Sequence, residues 1–476
     1  MKSADFHTTA ALAFEQLGRV HFIGLGGAGM SAVARILLAR GVPVSGSDAR
    51  DSQALEQLRR LGAVVQVGHD AANVADADTV VVSTAIRPEN PELQAAASAG
   101  LTIVHRSVAL AASMGSQELI AVAGTHGKTT TTSMITVMLR HAGLQPSFAI
   151  GGGVAALGVN ADFGEGRYFV AEADESDGSF LNYRPRIAVV TNVEADHLDH
   201  YGTAEAVHRS FDGFAALLPA DGVLVACLDD PGARALAERV AAPAAPRVVG
   251  YGYDPASEVR IGAGGFSSTS STSTLAFPGG GQALHLQVPG EHNIRNAAAA
   301  FAVGLAAGLD PAEAAAGLAE FTGAARRFEA KGEGRGVRVF DDYAHHPTEV
   351  AAALQAARKV AGSGGAVHVL FQPHLFSRTR EFAAEFADAL SLADSVTVLD
   401  IYAAREDPVP GVTSELIAGR LSVPGGYEPD PARAVAAVAG RARPGDIILT
   451  VGAGDVTQYG PQLVRALEER AAAGRP

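Results

Sequence analysis

The sequence predicts an α/β protein of three domains, each a largely parallel sheet covered by helices. Three observations lead there. Short apolar strands alternate with helical patterns along most of the 476 residues, as repeated strand–helix crossovers require. The chain is longer than one hydrophobic core sustains. The unusual polar clusters fall just after strands, where open parallel sheets place their ligands.

The first domain is predicted over residues 1–112. RVHFIGLGG reads as a strand entering a glycine turn, and AGMSAVARILLARG has helical spacing closed by Gly41. Further strands are expected at 42–47, 64–67, 79–83 and 102–105. The second domain, 113–323, opens with a strand at 119–123, the loop GTHGKTTTT and a helix. RYFVAEADESD and RIAVVTNVEADHLDH supply strands that end at acidic or amide residues. Segment 260–281, with SSTSSTST inside it, reads as turns and a mobile hairpin without chemistry. HNIRNAAAAFAVGLAAGLD is helical and closes this domain together with the helix after it. The third domain, 324–476, repeats strand, loop and helix in VRVFDDYAHHPTEV and AVHVLFQPHLFSRTREF. SVTVLDIY and DIILTVGAGDV add two strands. The expected architecture is a Rossmann-like N-terminal domain, a P-loop central domain and a Rossmann-like C-terminal domain.

Composition narrows the function classes. A net charge of −14 disfavours a partner with a phosphate backbone. The single cysteine, Cys227, excludes a disulfide framework and a multi-cysteine metal site. No apolar run approaches the roughly 20 residues of a membrane helix, and the N-terminal stretch lacks a secretory apolar core. A cytoplasmic enzyme with neither nucleic-acid nor membrane partners is expected. Lysine is scarce: Lys2, Lys128, Lys331 and Lys359 are all there are.

Two glycine loops carry the strongest local signals. Gly24, Gly26 and Gly29 fit G-x-G-x-x-G between strand and helix, and Asp48 follows about 20 residues on. Such a loop suits NAD, another diphosphate, or plain turn chemistry. The second loop has the shorter form G-x-x-G-K-T, because Val122 stands where the longer pattern has glycine. Gly124 and Gly127 free backbone N–H groups for phosphate oxygens, Lys128 balances β/γ charge, and Thr129 can ligate Mg²⁺. Glu172 and His197 follow neighbouring strands; His197 reads equally as a metal ligand or a loop hydrogen-bonder. Asp174, Glu175 and Asp177 read as solvated or supporting groups. Asn293 and Asn296 can face an adenine edge or cap their helix. In the third domain Asp341, Asp342, Tyr343, His345 and His346 form one cluster, and His374, Arg378, Thr379 and Arg380 a second. The histidines suit proton transfer or metal binding, and the arginine pair could clamp a carboxylate or phosphate.

GLGGAGMS, GTHGKTTTT, EADESD, TNVEADHLD, HNIRN, ARRFE, DDYAHHPTEV, QPHLFSRTR and GAGD occur in this order. Together they resemble the Mur ligase family, ATP-dependent amide-forming enzymes of peptidoglycan assembly, over nearly the whole chain. The resemblance implies that Gly24, Gly26, Gly27 and Gly29 hold a UDP diphosphate, with Ser47, Asp48, Ser83, Thr84, His105 and Arg106 around it. It implies ATP at Gly124, Thr125, His126, Gly127, Lys128, Thr129 and Thr130, adenine contacts from Asn293 and Asn296, and Arg327 reaching ATP. Thr129, Glu172 and His197 match magnesium ligands. Tyr343, His345, Arg378 and Arg380 would meet the incoming amino acid, and Lys128, His197, His345 and Arg327 would carry the chemistry.

Several members of the family use a carbamylated lysine as a metal ligand. Lys128 is the only lysine of its domain and the P-loop needs it, which favours the alanine-adding branch. The implied reaction joins L-alanine to the lactyl carboxylate of UDP-N-acetylmuramate, using ATP and Mg²⁺, in a monomer or homodimer. Leu375 stands where some alanine-adding members have Arg, which shifts the carboxylate clamp to Arg378. The C-terminal domain is expected to close over ATP. A ligase recycling a muramyl tripeptide would share most motifs. An NAD-dependent oxidoreductase explains residues 20–50 alone, and a nucleotide switch leaves DDYAHH and SRTR unused.

Overall fold

The computed structural model describes residues 12–473 apart from 155, 243–244, 268 and 405. The chain partitions into two compact units. The residues up to Ala263, with Ser273–His285 and Ile294–Thr322, form one; Gly264–Thr272, Leu286–Asn293 and the residues from Gly323 onward form the other. Among the described residues there are sheets of five, eleven and six strands. Among the described residues no helix is long and apolar enough to cross a membrane.

The first sheet runs in the order Val64–Val67, Val44–Asp48, Val20–Ile23, Thr79–Val82, Thr102–His105, parallel throughout. Every residue of Val20–Ile23 and Thr79–Val82 is buried, as strands covered on both faces must be. The order reverses between these two, which opens a crevice at their carboxyl ends. The glycine loop leaves the first of them and Ser83 and Thr84 follow the second. Gly24 has φ +82°, and the N–H groups of Gly24 and Leu25 both donate to Ser47 O at 2.8 Å. The helix Ala28–Ala39 then starts directly from Gly27.

The second sheet has a parallel core ordered Arg247–Gly252, Val223–Cys227, Pro185–Val190, Glu118–Ala123, Tyr168–Glu172, Ser147–Ala149. The strand feeding GTHGKTTTT is therefore central, and its neighbours end at Glu172 and Val190. The helix Lys128–His141 follows the loop. The Ser/Thr-rich stretch holds a hairpin, as expected, formed by Ser271–Phe277 and Gly280–Leu286. Ser271–Phe277 pairs antiparallel with Val259–Ile261 and Gly265–Phe266. Its first five residues alternate buried and exposed, so serine and threonine follow the period of a half-buried strand without its usual apolar signature.

The third sheet runs Glu329–Gly334, Val337–Asp342, Ile447–Val451, Val367–Phe371, Ser395–Val398, Gly425–Tyr427, with only the first strand antiparallel. Phe371, Phe386 and Leu390 lie in the core on one face; Leu370, Ile448 and Leu463 pack in a second cluster. In this unit the Lys359 ammonium lies 4.1 Å above the Phe266 ring.

Candidate active site

The loop between Ala123 and Lys128 is held from the strand beside it. Thr191 Oγ1 donates to His126 O at 2.5 Å, Asn192 Nδ2 donates to the same oxygen at 3.1 Å, and Asn192 Oδ1 accepts from His126 N at 2.8 Å. Gly124 has φ +137°, and a Cβ there would lie 2.0 Å from Thr191 Oγ1, so no other residue fits. Gly127, at φ +82°, starts the helix without a side-chain cap, which leaves first-turn N–H groups for a ligand. A Cβ on Gly127 would sit 2.8 Å from Asn296 Oδ1, so Asn296 lies directly against the loop.

Lys128 Nζ donates to Gly124 O at 2.7 Å and Thr125 O at 3.2 Å, and lies 2.9 Å from both carboxylate oxygens of Glu175. Burial acts to lower its pKa, but Glu175, Asp174 and Glu172 outweigh it and hold the ammonium above the ordinary value. Glu175 is 1% exposed and Asp177 is 6% exposed. Of the two expected readings, solvated or supporting, these two carboxylates take the second: they are buried counter-charges. His197 adopts a left-handed conformation, φ +56°, with Nε2 3.5 Å from Glu175 Oε1 and 3.6 Å from Asp196 Oδ2. Such a conformation away from glycine persists where surrounding contacts enforce it.

Oxygen donors for a divalent cation are present. Glu172 Oε1 accepts from Gly151 N at 2.8 Å, and a Cβ on Gly151 would meet Glu172 Oε2 at 2.8 Å. A Cβ on Gly152 would lie 3.5 Å from Thr129 Cγ2. Thr129 and Glu172 thus flank one glycine turn, and a hydroxyl beside a carboxylate suits Mg²⁺.

The first-sheet crevice is tied to this acidic segment. Arg106 Nη2 donates to Asp174 Oδ2 at 2.8 Å, and His105 Nε2 lies 3.4 Å from Asp177 Oδ2. Burial opposes the Asp177 charge; hydrogen bonding and charge from His105 override it and hold that carboxyl well below the usual range. Arg106 also lies against the glycine turn, because a Cβ on Gly29 would sit 3.3 Å from its Nη1. Asp48 Oδ2 accepts from Gly26 N at 2.8 Å, which spends this carboxylate on the loop. Ser47 is fully buried and donates to Glu92 Oε2 at 2.5 Å, beside His69 Nδ1 at 2.9 Å. Its side chain belongs to an internal network.

In the second unit, Asn293 Nδ2 donates to Pro289 O at 2.7 Å. Arg327 Nη1 lies 3.5 Å from Glu349 Oε1, and its guanidinium is 5.4 Å from the Tyr343 ring centre. His345 Nδ1 is 3.0 Å from Tyr343 O and 3.2 Å from Glu349 Oε2. Tyr343 and His345 therefore share one strand end, and Arg327 borders it. Asp342 Oδ1 and Oδ2 each accept a backbone N–H at 2.8 Å, from Ala344 and Phe328. Burial pushes this carboxyl up to about 6, with the Arg327 charge acting against the shift. Arg378 is buried and Arg380 exposed on the helix Phe376–Glu381. Two positions apart is roughly 200° around a helix, so these arginines do not converge as a clamp.

Three family models match in series. The one described as Mur ligase family, catalytic domain, covers residues 19–118; Mur ligase middle domain covers 122–304; and Mur ligase, glutamate ligase domain, covers 326–454. A UDP-N-acetylmuramate–L-alanine ligase of Paenarthrobacter aurescens is 63% identical over 460 residues, 97% of this chain and 99% of that protein. The chain belongs to the Mur ligase family. A namesake from Thermobifida fusca is 54% identical over 472 residues, 96% of this chain and 98% of its own. Among solved structures, a UDP-N-acetylmuramate–alanine ligase of Thermotoga maritima matches with TM-score 0.79 at 29% identity, covering 96% of this chain and 100% of that one. A murein peptide ligase from Psychrobacter arcticus matches with TM-score 0.72 at 25% identity, covering 95% and 99%. The three-domain α/β organisation of this Mur ligase is that of its relatives.

Within this Mur ligase the structure gathers Gly124–Thr130, Glu172, His197 and Asn296 around one loop, and Gly24–Gly29 with Arg106 around another. The motif reading gave no role to Thr191, Asn192, His69 and Glu92, and left Glu175 between a solvated and a supporting role. Thr191 and Asn192 do stand directly after a strand end in TNVEAD, which is a usable signal. Glu92 opens a helix far from any motif and carries none.

Proposed function

We infer that this chain is an ATP-dependent acid–amino-acid ligase that joins L-alanine to the lactyl carboxylate of UDP-N-acetylmuramate in peptidoglycan precursor synthesis. The observation that carries the reading is Lys128, half-buried at a helix N-terminus among carboxylates, in a chain matching alanine-adding ligases over nearly its full length. The substrate carboxylate attacks the γ-phosphorus of ATP, ADP leaves, and an acyl phosphate remains. The amine of L-alanine attacks that carbonyl, and phosphate departs.

Lys128 and the N–H groups after Gly127 neutralise charge on the phosphates. Thr129, Glu172 and His197 would hold Mg²⁺, which when bound supplies further positive charge at the transferring group. Gly24, Gly26, Gly27, Gly29, Ser83, Thr84 and Arg106 would seat the UDP diphosphate. Asn293 and Asn296 would meet adenine, and Arg327 would reach ATP. His345, with Nδ1 beside Tyr343 O and Glu349, would take the proton from the amine. Arg378 would pair with the amino-acid carboxylate. The protein acts on small molecules in the cytoplasm without nucleic-acid partners.

Phosphate release from ATP decides the matter, with UDP-N-acetylmuramate and a panel of amines. Release requiring both UDP-N-acetylmuramate and L-alanine is expected, falling at least about 100-fold in Lys128→Ala. Turnover with a tripeptide in place of L-alanine would move the reading to the recycling ligases, and no turnover with any pair would remove the substrate assignment.

A further inference from the structure

We propose that Glu175 is a positioning residue for Lys128. It holds the ammonium against the loop carbonyls in the nucleotide-free protein and yields it to phosphate on binding. An ammonium has three N–H donors. Lys128 spends them on Gly124 O, Thr125 O and the Glu175 carboxylate. A phosphate oxygen therefore gains this lysine only by displacing one partner.

The carbonyls are poor candidates for displacement, because Thr191 and Asn192 fix the loop. Glu175 is the partner with a rotatable side chain, and its Oε1 lies 3.5 Å from His197 Nε2, so without metal the carboxylate can turn toward the imidazole as Lys128 leaves. Its backbone is anchored meanwhile, since Tyr201 Oη donates to Glu175 O at 2.5 Å. A buried carboxylate next to an arriving polyphosphate also repels it. Glu175 thus sets the lysine for chemistry while weakening nucleotide binding.

This gives a signature opposite to that of structural damage. The inference rests on the reading of this loop as the ATP site. Calorimetric titration of the full chain with ATP in EDTA reads affinity without metal, and phosphate release reads kcat. Glu175→Gln is expected to bind ATP roughly tenfold tighter, from removal of one nearby negative charge, with kcat at least tenfold lower. Glu175→Asp keeps the charge but withdraws it by one methylene. It is expected to keep the Kd within twofold while kcat falls at least fivefold. Equal or weaker binding by a folded Glu175→Gln overturns the proposal. If that variant does not fold, Glu175→Asp decides alone, and kcat within twofold of the parent overturns it. Failure of the ATP-site reading looks different, because the parent chain would then not bind ATP.

Discussion

Gly124 shows how a single position can be both legible and incompletely understood from sequence. The G-x-x-G-K-T pattern marks it as a phosphate-loop glycine, yet the reason no side chain fits is Thr191, almost seventy residues away. Gly124→Ala is expected to destabilise the protein by about 2–4 kcal/mol, through the left-handed backbone and the 2.0 Å approach together. A thermal melt within 1 °C of the parent would contradict this. Asp342 makes a separate prediction. Its folded pKa of about 6 lies above the model-peptide value of 3.8, so the folded state binds the proton more tightly. The stability linked to this group is then fully present below about pH 4 and is lost as pH rises through about 6. A carboxyl NMR titration should show a midpoint near 6, and one below 4.5 would refute it. Contiguous motifs named Lys128 and Thr129. Glu175 stayed between a solvated and a supporting role, because only the fold buries a carboxylate three residues past a strand end.

At the scale of elements, the first sheet is knotted together by a carboxylate. Glu92, fully buried, accepts from Ser47 on one strand and from Asn73 Nδ2 at 2.6 Å, with His21 Nε2 3.7 Å away on a second strand and His69 Nδ1 at 3.2 Å. Burial would raise its pKa, but these partners win and hold it down at about 2. The stability it contributes is present above about pH 4.5 and is lost as pH falls toward 2. Glu92→Gln should cost about 2–3 kcal/mol at neutral pH and flatten acid unfolding across that window. An unchanged urea midpoint at pH 7 would contradict this. The helix carrying Arg378 and Arg380 gives a second element-level test. Arg378→Ala should raise the KM for L-alanine by tenfold or more, and Arg380→Ala should leave it within threefold, read from phosphate release at saturating ATP. Equal effects would restore the clamp. Short β-branched runs between turn residues made strand positions legible: the expected 64–67 and 102–105 match the observed bounds. In the hairpin expected within 260–281 the strand bounds were not legible, because the buried face of Ser271–Phe277 begins with serines.

For the whole molecule, the path of the chain matters more than the number of sheets. It passes between the two compact units five times, at 263, 272, 285, 293 and 322. Neither unit is a contiguous segment, and no single cut separates them. A fragment ending at Thr322 would keep residues 264–272 and 286–293 without the unit they belong to. It should melt at least 5 °C below the full chain and show greater dye binding to apolar surface, whereas an equal melting temperature would show the first unit to be self-sufficient. Three-domain order was readable because each domain opens with its own strand and loop. The interlacing was not, because it depends on which sheet a short hairpin tip packs beside.

That tip has a consequence on the ribosome. Phe266 is made about a hundred residues before Lys359, the cation that covers its ring. At about 5–20 residues per second, this leaves roughly 5–20 s in which the aromatic ring has emerged and its cover has not yet been synthesised. The first sheet can complete during elongation, since its strands end at residue 105. The second unit cannot, and its earliest-made segment, Gly264–Thr272, waits longest for the residues it groups with.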